Sequence, residues 1–220
     1  GLIKDITTNL VGINFENISI TANNQANKIG IISNSSAEMN NITFKDITIN
    51  TQSDYAGCIA IINNSNGNNI ALSHVTITGN NYIGGLTGNY AAANYTLSNV
   101  NANNITINAI GNYIGVIFAS AISEARIQES IVENSIIIGN NYVGGMLGEF
   151  HRNSTGNLIS QNNIIKGNSI VAGLVGKTSA VDYIKSYNNE IYGSSSVGGV
   201  AGEAQGTMSY IESIGNKVIV

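Results

Sequence analysis

Asn81-Tyr-Ile-Gly-Gly-Leu-Thr-Gly88 and Asn141-Tyr-Val-Gly-Gly-Met-Leu-Gly148 are two copies of one eight-residue pattern, and the spacing of such copies decides the fold. Ser169-Ile-Val-Ala-Gly-Leu-Val-Gly176 and Ser195-Ser-Val-Gly-Gly-Val-Ala-Gly202 keep the same frame. Three more copies are degraded: Asn27-Lys-Ile-Gly-Ile-Ile32, Asp54-Tyr-Ala-Gly-Cys-Ile59 and Asn112-Tyr-Ile-Gly-Val-Ile117. Marking the first glycine gives Gly30, Gly57, Gly84, Gly115, Gly144, Ala172 and Gly198, at intervals of 27, 27, 31, 29, 28 and 26 residues. Gly1-Leu2-Ile3 fits the second half of a further copy.

Two strand-like segments precede each copy. One reads Ile18-Ser-Ile-Thr21, Ile47-Thr-Ile-Asn50, Val75-Thr-Ile-Thr78 and Ile105-Thr-Ile-Asn108, alternating apolar and small polar residues as a half-buried strand does. The other includes Ile42-Thr-Phe44, Ile70-Ala-Leu72 and Tyr95-Thr-Leu97. Three short strands in about 28 residues, with no room for a helix, predict a right-handed parallel β-helix of seven to eight coils. A single coil buries too few side chains to offset its ordering entropy, but stacked coils build a continuous core. The absence of proline fits, because every inner strand needs its N–H. A sandwich or propeller needs recurrent tight hairpins, and Asn66-Gly67 is the only such dipeptide.

Composition narrows the function. The 220 residues include 36 Asn and 37 Ile, carry 10% charged residues and have a net charge of −4. That balance predicts no nucleic-acid partner, which would need a basic stripe, and no apolar run suffices for membrane insertion as a helix. A lone cysteine, Cys58, rules out a disulfide scaffold and sits where Ile31 and Val116 also occur, so it reads as packing. Only four Asp, two His and two Arg are present, and they scatter over the repeat frame. No carboxylate pair, zinc or calcium motif, or phosphate-binding loop emerges, so neither catalytic residues nor a cofactor is expected. Glu124, Glu129 and Glu133 read as a solvated acidic face.

Several columns of the frame invite a structural or a functional reading. Ile32, Ile59, Leu86, Ile117, Met146, Leu174 and Val200 are expected to form one inward ladder. The first glycine tolerates only Ala172 and marks a bend or a close backbone approach, while the second is ordinary strand. Asn27, Asp54, Asn81, Asn112, Asn141, Ser169 and Ser195 suit a stacked side-chain ladder. Beside them, Tyr55, Tyr82, Tyr113 and Tyr142 form either an aromatic ligand platform or a stacked ladder closing a corner, with structure the stronger reading. Ser19, Thr48, Thr76 and Thr106 form an outward hydroxyl file that could face ice, but a solvated face is the simpler account because later coils lose it. Insertions after each glycine copy, including Ser120-Ala-Ile-Ser-Glu124 and Glu149-Phe-His-Arg152, are where solenoids usually contact partners.

The Ile83-Gly-Gly-Leu-Thr-Gly88 core resembles the GLUG motif of bacterial surface and secreted proteins, found in adhesin-like proteins and in non-catalytic regions of streptococcal immunoglobulin A proteases. Four copies match closely, and the resemblance implies an extracellular stalk, adhesion or interaction module, with a virulence role and a host glycan or protein as partner. It brings no catalytic residue. The alternatives are a pectate-lyase-like polysaccharide enzyme and an ice-binding solenoid. Residues 1–220 read as one repeat domain, with Gly1 inside a repeat and Lys217-Val-Ile-Val220 on an uncapped strand. A fragment of a longer chain, with end-to-end self-association, is the corresponding expectation.

Overall fold

A computed structural model describes residues 1–23, 27–91, 94–121, 125–151 and 156–220. Among these residues there is no helix, and every strand pair is parallel. One sheet of eight strands climbs through the chain by the repeat itself, pairing Ile3 with Ile32, then Ile59, Thr87, Phe118, Leu147, Val175 and Ala201. A five-stranded sheet and a thirteen-stranded sheet complete the walls. The chain is a parallel β-solenoid whose like residues stack coil upon coil.

The two upstream segments behave differently along the rod. In the first coils they fuse into single bent strands, Leu10–Ala22, Met39–Thr51, Gly67–Gly79 and Thr96–Ala109. From the fifth coil they separate, as in Ser130–Glu133 and Ile136–Ile138. The bend falls at one column: Asn17, Asp46, His74, Asn104, Asn134, Asn162, Asn188 and Gly215, every member with φ between 51° and 67°. A second left-handed column holds Gly12, Asn41, Asn69, Asn99, Glu129, Tyr183 and Tyr210. Asn is the non-glycine residue that best tolerates this conformation, because its short amide bonds locally. Eight of the 36 Asn stand in these two columns, so the corners account for part of the Asn content.

Inside, Ile49, Ile77, Ile107, Ile137, Ile165 and Ile191 form an unbroken buried ladder. The expected ladder through Leu86 holds in burial but not in register. Leu86, Ile117, Met146, Leu174 and Val200 line up with one another, whereas Ile32 and Ile59 pair onward to Thr87. The physical reason is one extra residue in the turn from the third coil on: two steps separate Gly57 from Ile59, and three separate Gly84 from Thr87. The first glycine marks a close approach, not a left-handed bend. A Cβ at Gly84, Gly144 or Gly198 would collide with the carbonyl oxygen three residues on, that of Thr87, Leu147 or Ala201.

One interior column changes character. Ile18, Ile47, Val75 and Ile105 give way to Ser135, Asn163, Asn189 and Asn216. Each amide oxygen accepts the N–H of the column member in the preceding coil: Asn163 from Ser135 (2.8 Å), Asn189 from Asn163 (2.8 Å) and Asn216 from Asn189 (2.9 Å). The Asn189 Nδ2 donates to the Ser160 carbonyl at 2.9 Å and to the Ser186 hydroxyl at 3.0 Å. Contrary to the expectation of ordinary strand, the second glycine in these coils lies in a bend facing the polar seam, with no room for a side chain. A Cβ on Gly145 or Gly173 would strike the carbonyl of the next coil and crowd Ser160 or Ser186.

Candidate functional site

The expected tyrosine column is brought together on the surface corner that leads into the five-stranded sheet. Tyr82, Tyr113 and Tyr142 take φ of 52°, 64° and 56°, so the left-handed turn swings each ring outward. Ring centroids lie 4.8 Å apart for Tyr55–Tyr82 and 4.7 Å apart for Tyr82–Tyr113 and Tyr113–Tyr142, with planes within 13° of parallel. Stacking at the coil spacing makes each half-buried ring cover its neighbour's face. What remains for a partner is a strip of ring edges and hydroxyls.

The side-chain ladder beside the strip is continuous over four coils. Asp54 accepts from the Asn81 amide at 2.9 Å, Asn81 accepts the Asn112 N–H at 2.8 Å, and Asn112 accepts from the Asn141 amide at 2.9 Å. These bonds tie down the corner from which the tyrosines project. Burial, and then Tyr55, Glu149 and Asp54, hold the Tyr82 hydroxyl above its usual pKa; for Tyr113 burial leads, followed by Glu149 and the flanking tyrosines. The Lys177 ammonium lies 5.6 Å from the Tyr142 ring centroid and 3.7 Å from Glu203. Glu149, Lys177 and Glu203 are register partners on the eight-stranded sheet. Sequence reading overlooked this charged file, although it was legible as the residue after the third glycine: Gly148-Glu149, Gly176-Lys177 and Gly202-Glu203.

One chain of polar contacts runs near this file. His151 Nε2 lies 2.9 Å from Glu149, and its Nδ1 lies 3.4 Å from the Ser179 hydroxyl. Serine, imidazole and carboxylate in sequence are the parts of an activated nucleophile. The Ser179 N–H, however, is spent on the Phe150 carbonyl at 3.1 Å, which removes it as a donor to a developing oxyanion.

The remaining candidates are dispersed. Cys58 is fully buried, and desolvation pushes its thiol pKa up, so it stays protonated inside the core. His74 faces Asp46 at 3.7 Å on an exposed corner. Glu133 accepts from Asn103 (2.9 Å) and Gln161 (2.8 Å), and Glu129 holds Asn157. Glu124 and Arg152 lie outside the described residues. Among the described residues no group of three or more His, Cys, Asp or Glu is placed to share a metal ion, and no helix is long and apolar enough to cross a membrane. The hydroxyl file of Ser19, Thr48, Thr76 and Thr106 points outward and ends at Ile136, which is 41% exposed. No family model matches the chain, and no match to it was found among the curated proteins.

Proposed function

We propose that this solenoid is an extracellular module of a bacterial surface or secreted protein, serving as a stalk that also engages a host glycan or protein. The observation that carries the reading is the stack from Tyr55 to Tyr142, which spends four aromatic side chains on the outside of the rod. The core is already continuous without them. A strip of edges and hydroxyls, flanked by Lys177 and Glu149, suits a shallow, extended contact in which many weak bonds add along a rigid surface. The GLUG-like repeat supports the extracellular bacterial setting. The reading assigns the chain no catalytic step and no cofactor.

The test compares wild type with Tyr82→Phe/Tyr113→Phe and Tyr82→Ala/Tyr113→Ala for binding to host epithelial cells and extracellular-matrix proteins. Phe keeps the stack and removes the hydroxyls, whereas Ala removes both. Binding is expected to weaken in the Phe pair and vanish in the Ala pair, with circular dichroism showing both still folded. Binding unchanged in the Ala pair removes the tyrosines from the contact. Turnover of acidic or neutral polysaccharide by the wild type, with or without calcium, would defeat the non-enzymatic reading.

A further inference from the structure

The corner that carries the tyrosines is not equally long in every coil. From Thr51 to Tyr55 and from Ala109 to Tyr113 the chain takes four steps, but from Gly79 to Tyr82 it takes three. Both ends of the corner are pinned: Gly79 pairs with Ala109 in the sheet, and the tyrosines stack. The additional residue therefore bulges outward in the two longer coils. Ile110 is 81% exposed and Gln52 is exposed, whereas Asn80 between them is half-buried. The short coil is recessed between two projecting ones, and the result is a notch of about 400 Å³.

Its chemistry is specific. Gln52 and Ile110 form the walls, and Thr78, Asn80 and Asn108 supply polar groups between them, with no charged side chain in the lining. Asn80 is held in place because its Nδ2 donates to Asp54 at 2.8 Å. The Thr78 hydroxyl donates to Asn50 at 2.7 Å, which leaves its lone pairs to accept. Amides and hydroxyls offer paired donors and acceptors that match adjacent sugar hydroxyls, and Ile110 offers an apolar surface for ring C–H groups. Walls two coils apart are about 9.6 Å between backbones, too narrow for a helix of about 10–12 Å diameter but wide enough for one sugar ring. We propose that this notch binds a neutral sugar unit. The inference rests on the reading of the rod as an interaction module, but the site is distinct from the tyrosine strip.

The test is saturation-transfer NMR on the whole chain with neutral oligosaccharides of glucose, galactose, mannose and N-acetylglucosamine, and with uronate and sialylated oligosaccharides as charged controls. At least one neutral oligosaccharide is expected to bind at millimolar concentration. Gln52→Ala/Asn108→Ala should weaken it by about tenfold or more. A glycine inserted after Asn80, which lengthens the recessed corner to match its neighbours, should abolish it. The surface double variant decides if the insertion unfolds the chain. Tyr82→Phe/Tyr113→Phe should leave sugar binding intact, so loss of host binding and loss of sugar binding are separable. No neutral ligand bound, equal binding of the charged controls, or binding that survives Gln52→Ala/Asn108→Ala would each overturn the assignment.

Discussion

Replacing Asn189 with alanine tests whether the interior polar seam holds the later coils together. The side chain is fully buried and makes three bonds: its oxygen accepts the Asn163 N–H at 2.8 Å, and its nitrogen donates to the Ser160 carbonyl at 2.9 Å and the Ser186 hydroxyl at 3.0 Å. Ser186 keeps a second partner, the Gly199 carbonyl at 2.6 Å, so its hydroxyl is not stranded. The substitution deprives one buried N–H and one buried carbonyl of this partner. At about 1–3 kcal/mol for each group left unsatisfied, the expected loss is about 2–6 kcal/mol. Asn189→Asp should be at least as damaging, since an oxygen would then face the Ser160 carbonyl. Asn188→Gly, one residue away on an exposed left-handed corner, should change little. Because repeat arrays can unfold in parts, amide exchange is the better assay, read separately for coils before and after Ser135. Faster exchange confined to the later coils is expected. A loss below about 0.5 kcal/mol would refute the idea that the seam carries stability.

Four other outcomes follow from the same geometry. Gly144→Ala should lower the melting temperature markedly, because its Cβ meets the Leu147 carbonyl, whereas Gly12→Asn, in open space at φ 66°, should be tolerated; calorimetry of both variants is the check. The Tyr82 and Tyr113 hydroxyls are raised in the folded chain, so the folded state holds their protons longer. Their contribution to stability is complete below the unfolded value of about 10 and is lost as pH rises through the higher folded values. Tyrosinate absorbance should show a late-titrating class that disappears in Tyr82→Phe/Tyr113→Phe. Cys58 should resist thiol reagents until denaturant opens the core, and rapid modification of the native chain would contradict its burial.

Much of the fold was legible because a solenoid writes its structure into the sequence repeatedly. At Gly84, Gly144 and Gly198 a Cβ would meet the carbonyl three residues on, and comparing seven copies exposed this column even though Ala172 interrupts it. The tyrosine and Asp54–Asn141 columns were equally visible, since register partners occupy equal positions in each copy. Register itself was less visible. One residue added to the turn before Thr87 moves Ile32 and Ile59 into a different ladder without changing their burial or character. The polar seam was missed because Asn163 and Asn189 are indistinguishable by residue type from the Asn of exposed corners such as Asn162 and Asn188. Only in the folded chain do two adjacent asparagines differ, one turning the chain and the other bonding inside it. The notch was hidden for a related reason: it comes from a difference in corner length, which motif alignment absorbs as a gap.

The tyrosine strip and the notch both depend on coil stacking, and one pair of substitutions measures it. Thr48 and Thr76 are outward-facing register partners in adjacent coils, separated in sequence by a full repeat. Stacked strands lie about 4.8 Å apart, within the Cα separations of about 4.4–6.8 Å that a disulfide spans. Thr48→Cys/Thr76→Cys should form an intrachain disulfide on mild oxidation of dilute protein, read by mass spectrometry of the proteolysed chain. Thr48→Cys/Thr78→Cys, two positions out of register, should remain reduced. Ready oxidation of the second pair and not the first would contradict the register on which the tyrosine strip and the notch are built.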